Sequence, residues 1–219
     1  MRLAKHPRPA TPLTRQLSRK TRHLTLWAGF ALLFAAGSLY LLLPMLPNYA
    51  VTLQQRYWVA LALSAGGLCF VALYRLVLRR TRLWGAFNTW EHELAHALAA
   101  WSVGGTVHAI TGSSRGGHVV WTGGAGQWWV ALAPYWLPTL PLAWLLVWRG
   151  FFPSAVSSNI GLAILGFCLA WHALATWQEL HLRQTDFEVT GLAFAGAFIL
   201  AFNGLAIVGF LSYIARASF

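Results

Sequence analysis

The stretch Glu91-His92-Glu93-Leu94-Ala95-His96 lies within residues 83–102, a segment that is apolar at both ends. On a helix, residues four apart share one face, so the imidazoles of His92 and His96 can bind one metal ion. Glu93 can then take a proton from a water molecule that the metal acidifies. Random placement of the residues would produce this HExxH pattern only about 0.005 times in the chain. Because ionisable side chains in apolar segments are costly, we interpret the motif as a metal centre; a polar patch facing a partner helix is the alternative.

The composition around the motif is that of a membrane protein. Hydrophobic residues make up 58% of the 219 residues and charged residues only 10%, whereas soluble domains carry about 25% charged residues. Several uncharged stretches approach or exceed the ~20 residues that span a bilayer as a helix. We therefore expect an all-α polytopic membrane protein with about six transmembrane helices, and the composition excludes most soluble classes.

Six apolar stretches underlie this expectation, namely residues 24–46, 57–74, 83–102, 127–148, 160–177 and 189–215. The fourth stretch contains Pro134, Pro138 and Pro141, which predict a kink or a break. With six spans, the C-terminal ends of the third and fifth stretches should share one side of the membrane.

A glycine-rich segment, residues 103–126, separates the third stretch from the fourth. It contains two short β patterns, residues 106–111 and 118–122, which predict a membrane-associated hairpin after the HExxH helix. The expected organisation is a basic tail over residues 1–23, two transmembrane helices over residues 24–82 and a membrane core over residues 83–219.

The basic residues are unevenly distributed. The net charge is +11, and seven of the 16 lysines and arginines precede residue 23. The positive-inside rule then predicts a cytoplasmic N-terminus, and such a tail can also contact anionic lipids of the bilayer. No motif supports a nucleic-acid partner. Cys69 and Cys168 both lie in apolar stretches and imply no disulfide framework.

A catalytic metal centre needs a third protein ligand. Asp186, the chain's single aspartate, follows the fifth apolar stretch and can serve either as that ligand or as the N-cap of the last helix. His172, Glu179 and His181 are rival ligands, although burial in a helix or exposure at the interface also accounts for them.

The sequence HELAHAL at residues 92–98, the glycine-rich hairpin and the late aspartate resemble the site-2 protease family of intramembrane zinc metalloproteases. The closest resemblance is to its short bacterial members without PDZ or CBS domains, and it covers about residues 86–203. Two differences stand out. Many members have glycine after the aspartate where this chain has Phe187, and the regulatory domains of larger members have no counterpart here.

The resemblance implies that His92, His96 and Asp186 bind one zinc ion per chain and that Glu93 is the general base. It also implies that the hairpin pairs with an unwound substrate by strand addition. Candidate substrate-binding residues are Gly117, His118 and Asn203, and Asn203 can alternatively form a hydrogen bond in the core.

The implied activity is that of an intramembrane endopeptidase, which hydrolyses a peptide bond in or near the transmembrane segment of a membrane protein. The implied location is the bacterial inner membrane. A structural subunit that retains a closed, four-ligand metal site is the alternative, with His172 or His181 as the fourth ligand. An ion or proton pathway ranks last because the chain lacks a second row of ionisable residues in its apolar stretches. The sequence predicts no oligomeric state.

Overall fold

The computed structural model describes residues 57–152, 159–180 and 185–216, together with isolated positions before residue 57. The basic tail over residues 1–23 and nearly all of the stretch 24–46 lie outside the described residues, so the first transmembrane prediction stays a prediction.

The described residues form helices and one hairpin. In chain order they are α1 (Tyr57–Leu76), a 3-10 turn (Leu78–Arg80), α2 (Arg82–Ser102), β1 (Gly105–Ser113), β2 (Gly116–Gly123), α3 (Gln127–Trp136), α4 (Thr139–Phe151), α5 (Asn159–Glu179), α6 (Thr185–Thr190) and α7 (Leu192–Arg216).

Within the described part of the chain, three helical segments are long and apolar enough to cross a membrane: Tyr57–Arg80, Asn159–Glu179 and Leu192–Phe210. The pair α3 and α4 would add a fourth if it counts as one span, although its axes are bent by 74°. The polar residues of the motif lower the hydropathy of α2, which does not meet the same criterion. A mostly helical membrane fold with one small sheet is therefore confirmed, and the count of six spans is not.

The predicted break in the fourth apolar stretch is confirmed and falls at Leu137 and Pro138. In a continuous helix the amide of Thr139 would donate to the carbonyl of Tyr135, but it donates to the carbonyl of Leu137. Nδ2 of Asn203 on α7 instead donates to the carbonyl of Tyr135 over 2.8 Å. The amide of Asn203 thus supplies the hydrogen-bond donor that the carbonyl of Tyr135 loses at the break. This matters because an unpaired backbone oxygen is costly in an apolar environment.

Helices α1 and α5 lie side by side and run in the same direction. Gly66, near the middle of α1, lies against the backbone of Ala163 in the first third of α5, an approach that any larger side chain would prevent. Towards their C-terminal ends, Nε2 of Gln178 donates to the hydroxyl of Tyr74 over 2.6 Å.

The C-terminal end of α5 lies beside the N-terminal half of α2. Nε1 of Trp84 donates to Oε1 of Gln178 over 3.1 Å, and Nδ2 of Asn88 donates to Oε1 of Glu179 over 3.0 Å. The expectation that the third and fifth stretches end on the same side is therefore wrong. It counted residues 127–148 as one full crossing, whereas α3 and α4 are bent by 74° and form either a broken span or a re-entrant loop.

Helix α6 lies against α3 and α7. Phe187 of α6 packs with Leu132 and Tyr135 of α3 in a buried cluster that also holds Phe198 of α7. Gly191 separates α6 from α7 with a φ of 80°, a conformation that glycine adopts without strain.

The strands β1 and β2 form the antiparallel hairpin that the glycine-rich segment predicts. Gly105 lies opposite Gly123 at the open end, and Ser113 lies opposite Gly116 at the turn. Both strands pack against α2, so the hairpin covers the helix that carries the HExxH motif.

Candidate metal centre

His92 and His96 lie one turn apart on α2, and their ring centroids are 4.8 Å apart. Nε2 of His92 lies 3.6 Å from Oδ2 of Asp186, and Nε2 of His96 lies 3.8 Å from the same oxygen. The three side chains are largely buried, with 14%, 12% and 18% of their surfaces exposed. Two nitrogen donors and one oxygen donor from α2 and α6 therefore converge on one small volume.

The ring of His96 is held in one orientation by α3. Its Nδ1 lies 2.7 Å from the carbonyl oxygen of Val130. Because a carbonyl oxygen can only accept a hydrogen bond, the hydrogen of the neutral ring must reside on Nδ1. Nε2 then presents its lone pair towards Asp186, which is the state that a metal ligand requires.

Asp186 lies within the short helix α6 rather than at the start of α7. Its Oδ2 accepts a hydrogen bond from the hydroxyl of Tyr135 over 2.9 Å. Burial alone would raise the pKa of the carboxyl group, but the adjacent imidazoles of His92 and His96 and the hydroxyl of Tyr135 hold that pKa below its usual range. The side chain is therefore a charged acceptor directed at the two histidines, and the structure does not support its role as the N-cap of the last helix.

Glu93 is buried and lines the same cavity as the three candidate ligands. The cavity has a volume of about 640 Å³. Gly117 of β2 lies directly over Glu93, because a Cβ atom at this glycine would come within 2.7 Å of Cγ of Glu93 and 2.8 Å of Cγ2 of Thr89. The hairpin therefore forms one wall of the cavity immediately beside this carboxylate.

A family model described as Peptidase M50B-like matches residues 65–216, which is well over half of the chain. The chain belongs to this family. The resemblance to site-2 proteases that the motif indicates is thereby confirmed. No curated protein and no solved structure matches the chain significantly, so the family model alone carries the assignment.

The other sequence candidates of this M50B-like chain occupy different places. Gly117 and His118 line the cavity, and Nδ1 of His118 lies 2.9 Å from the hydroxyl of Thr111 on the facing strand. Asn203 instead donates hydrogen bonds to the carbonyls of Tyr135 and Ile199, which is a structural arrangement.

Two of the three rival ligands, Glu179 and His172, do not join the group of converging donors. Glu179 lines the cavity but is not among the converging donors, and His172 is buried on α5 outside the cavity lining. His181 lies outside the described residues. Among the residues that the structure describes, no fourth donor completes the group, so the closed site of a structural subunit is not favoured.

Sequence reasoning missed Tyr135 and the role of Phe187. Tyr135 lies in an apolar stretch beside Pro134, where an aromatic residue ordinarily predicts packing. Phe187 was recognisable only as a difference from the usual glycine. In the fold its ring lies 5.0 Å from that of Tyr135, so both residues flank the aspartate.

Proposed function

We propose that this M50B-like chain is a zinc-dependent intramembrane endopeptidase that hydrolyses a peptide bond in or near the transmembrane segment of a membrane protein. The observation that carries the proposal is the convergence of His92, His96 and Asp186 on one cavity that Glu93 also lines. Burial of all four ionisable side chains in a membrane fold would be costly without such a role.

The donor set fits zinc. Two imidazole nitrogens and one carboxylate oxygen are ligands that zinc prefers, and three protein ligands leave a fourth position open for catalysis. Two atoms bound at about 2.1 Å to a tetrahedral zinc ion stand about 3.4 Å apart. The distances of 3.6 Å and 3.8 Å from the imidazoles to Asp186 are close to that spacing. Zinc, when bound, supplies Lewis acidity that acidifies a water molecule and polarises a peptide carbonyl.

Glu93 acts as the general base and then as the general acid in the proposed reaction. Its carboxylate takes the proton of the attacking water and later gives it to the amine that leaves. The chain does not need a second acid for this exchange, because one carboxylate performs both transfers in turn.

The hairpin binds the substrate in an extended form. A helical substrate hides its carbonyls in internal hydrogen bonds, so the segment to be cut must first unwind. Gly117 and His118 of β2 line the cavity beside Glu93. A substrate strand added to β2 would therefore run past the carboxylate, with backbone hydrogen bonds supplying most of its affinity.

We further infer that the chain lies in the bacterial inner membrane with its N-terminus in the cytoplasm. Support comes from the basic residues before residue 23 and the positive-inside rule. A protease-accessible tag at the N-terminus tests the orientation: protection in intact spheroplasts is expected, and cleavage from outside would contradict it.

A zinc-exchange experiment tests the proposed activity. Purified protein is incubated with a panel of single-pass transmembrane segments, each flanked by two soluble reporter domains, before and after zinc is removed with a chelator. We expect cleavage of at least one segment, its loss with zinc removal and its return when zinc is restored. Cleavage that persists without zinc, or a zinc-loaded protein that cuts no segment, would contradict the proposal.

A further inference from the structure

Tyr135 is the residue that links the candidate metal ligands to the rest of the fold. It lies on α3 and is completely buried. Its hydroxyl donates to Oδ2 of Asp186 over 2.9 Å, and its ring lies 5.7 Å from that of His92 in a perpendicular arrangement. One side chain thus contacts two of the three candidate ligands.

Asp186 needs such support because its own helix is short. α6 contains only six residues, and a helix of this length has little stability by itself. A carboxylate on such an element loses rotational freedom when it binds an ion, and a partner that fixes its orientation beforehand reduces that cost. The hydroxyl of Tyr135 is in position to do this.

Tyr135 is itself held from several directions. Phe187 packs on its ring, and Nδ2 of Asn203 donates to its backbone carbonyl. The ring also belongs to a buried cluster with Leu132 of α3 and Phe198 of α7. Because α3, α6 and α7 all contribute to this environment, the hydroxyl has a fixed position relative to the two histidines on α2.

We propose that Tyr135 is a positioning residue that orients the carboxylate of Asp186 and thereby sets the metal affinity of the site. It acts through Asp186 and is neither a ligand nor a proton donor to substrate. The inference rests on the proposed function, since it takes Asp186 as a ligand. Partners that orient a metal ligand typically change metal affinity about 10- to 100-fold, and we expect an effect of that size.

The experiment compares the zinc dissociation constants of wild-type, Y135F and Y74F proteins by competition with a chromophoric chelator. Y135F removes the hydroxyl and keeps the ring, so zinc affinity should fall about 10- to 100-fold. Y74F is the matched control, because the hydroxyl of Tyr74 accepts a hydrogen bond from Gln178 and lies outside the cavity lining. Its zinc affinity should equal that of the wild type.

A double variant distinguishes positioning from a general effect on the fold. If Tyr135 acts through the carboxylate, Y135F should lower zinc affinity in the wild type but cause no further loss in the D186N background. An equal loss in both backgrounds would show that the substitution perturbs the fold and would overturn the inference. This comparison remains informative even where Y135F lowers the melting temperature.

Zinc binding by the chain and the role of Tyr135 can be tested separately. A wild-type protein that binds no zinc contradicts the proposed function. A wild-type protein that binds zinc, together with a Y135F variant of equal affinity, overturns the role of Tyr135 alone.

Discussion

Gly117 of β2 lies over Glu93 of α2 so closely that a single added Cβ atom would come within 2.7 Å of Cγ of the glutamate. A similar contact occurs directly opposite on β1, where a Cβ atom at Gly112, the cross-strand partner of Gly117, would lie 2.9 Å from the ring of Trp90. Two glycines therefore let the hairpin lie flat against the HExxH helix. The position of the hairpin and the position of the carboxylate are set by the same contact.

The Gly117→Ala variant should lose activity while it keeps its metal. The added methyl group meets Glu93 and the carbonyl of Thr111, so either the hairpin or the carboxylate must move. A displacement of about 1 Å at a catalytic group can cost up to about 100-fold in rate, and we expect a decrease of about 10- to 100-fold.

Turnover and zinc content, measured on the same preparation, check this prediction. G150A is the control, because a Cβ atom at Gly150 of α4 meets no atom within 4 Å. Equal turnover of G117A and G150A would show that the contact between hairpin and carboxylate has no part in catalysis.

The Glu93→Gln variant should bind zinc as the wild type does and fail to cleave. Glutamine keeps the size of the side chain but cannot accept a proton, so turnover should fall by about 100- to 10,000-fold. E91Q is a suitable control on the same helix. Glu91 accepts a hydrogen bond from Thr139, which the amide oxygen of glutamine can still accept, and it lies outside the cavity lining. Retained cleavage by E93Q would exclude Glu93 as the general base.

The Asn203→Leu variant distinguishes a structural role from substrate contact. Loss of the amide leaves the carbonyl of Tyr135 without the donor on α7, which should lower the free energy of unfolding by about 1–3 kcal/mol. The melting temperature in detergent should therefore fall, whereas N159L, at the exposed first residue of α5, should leave it unchanged. A rise in KM at unchanged stability would instead support substrate contact.

The local features of this fold could be read from the sequence. The apolar stretches 57–74 and 160–177 correspond closely to α1 and α5, and two short β patterns in a glycine-rich segment predicted the hairpin. These predictions succeed because each depends only on residues that are close in sequence and on apolar side chains that recur every few residues. The HExxH motif places two donors on one helical face for the same reason.

The remaining features depend on contacts between distant residues. The prolines of residues 127–148 predicted a break, but they predicted neither the 74° bend between α3 and α4 nor the position of the C-terminal end of α5 beside Asn88 of α2. Asp186 was recognisable as a candidate, but its hydrogen bond with Tyr135 joins residues 51 positions apart and leaves no periodic signal. Sequence patterns alone could therefore not separate a ligand from a helix cap at Asp186.

The zinc content of detergent-purified protein, determined by elemental mass spectrometry, shows whether His92, His96 and Asp186 form a metal centre. We expect about one zinc ion per chain for the wild type and for the control variant H108A. His108 bonds to Thr122 on the hairpin and lies outside the cavity lining. D186A and H96A should retain far less than one, since each removes one of three converging donors. A wild-type protein that holds no zinc after zinc is supplied, or a D186A variant that holds one zinc ion per chain, would contradict the proposed metal centre.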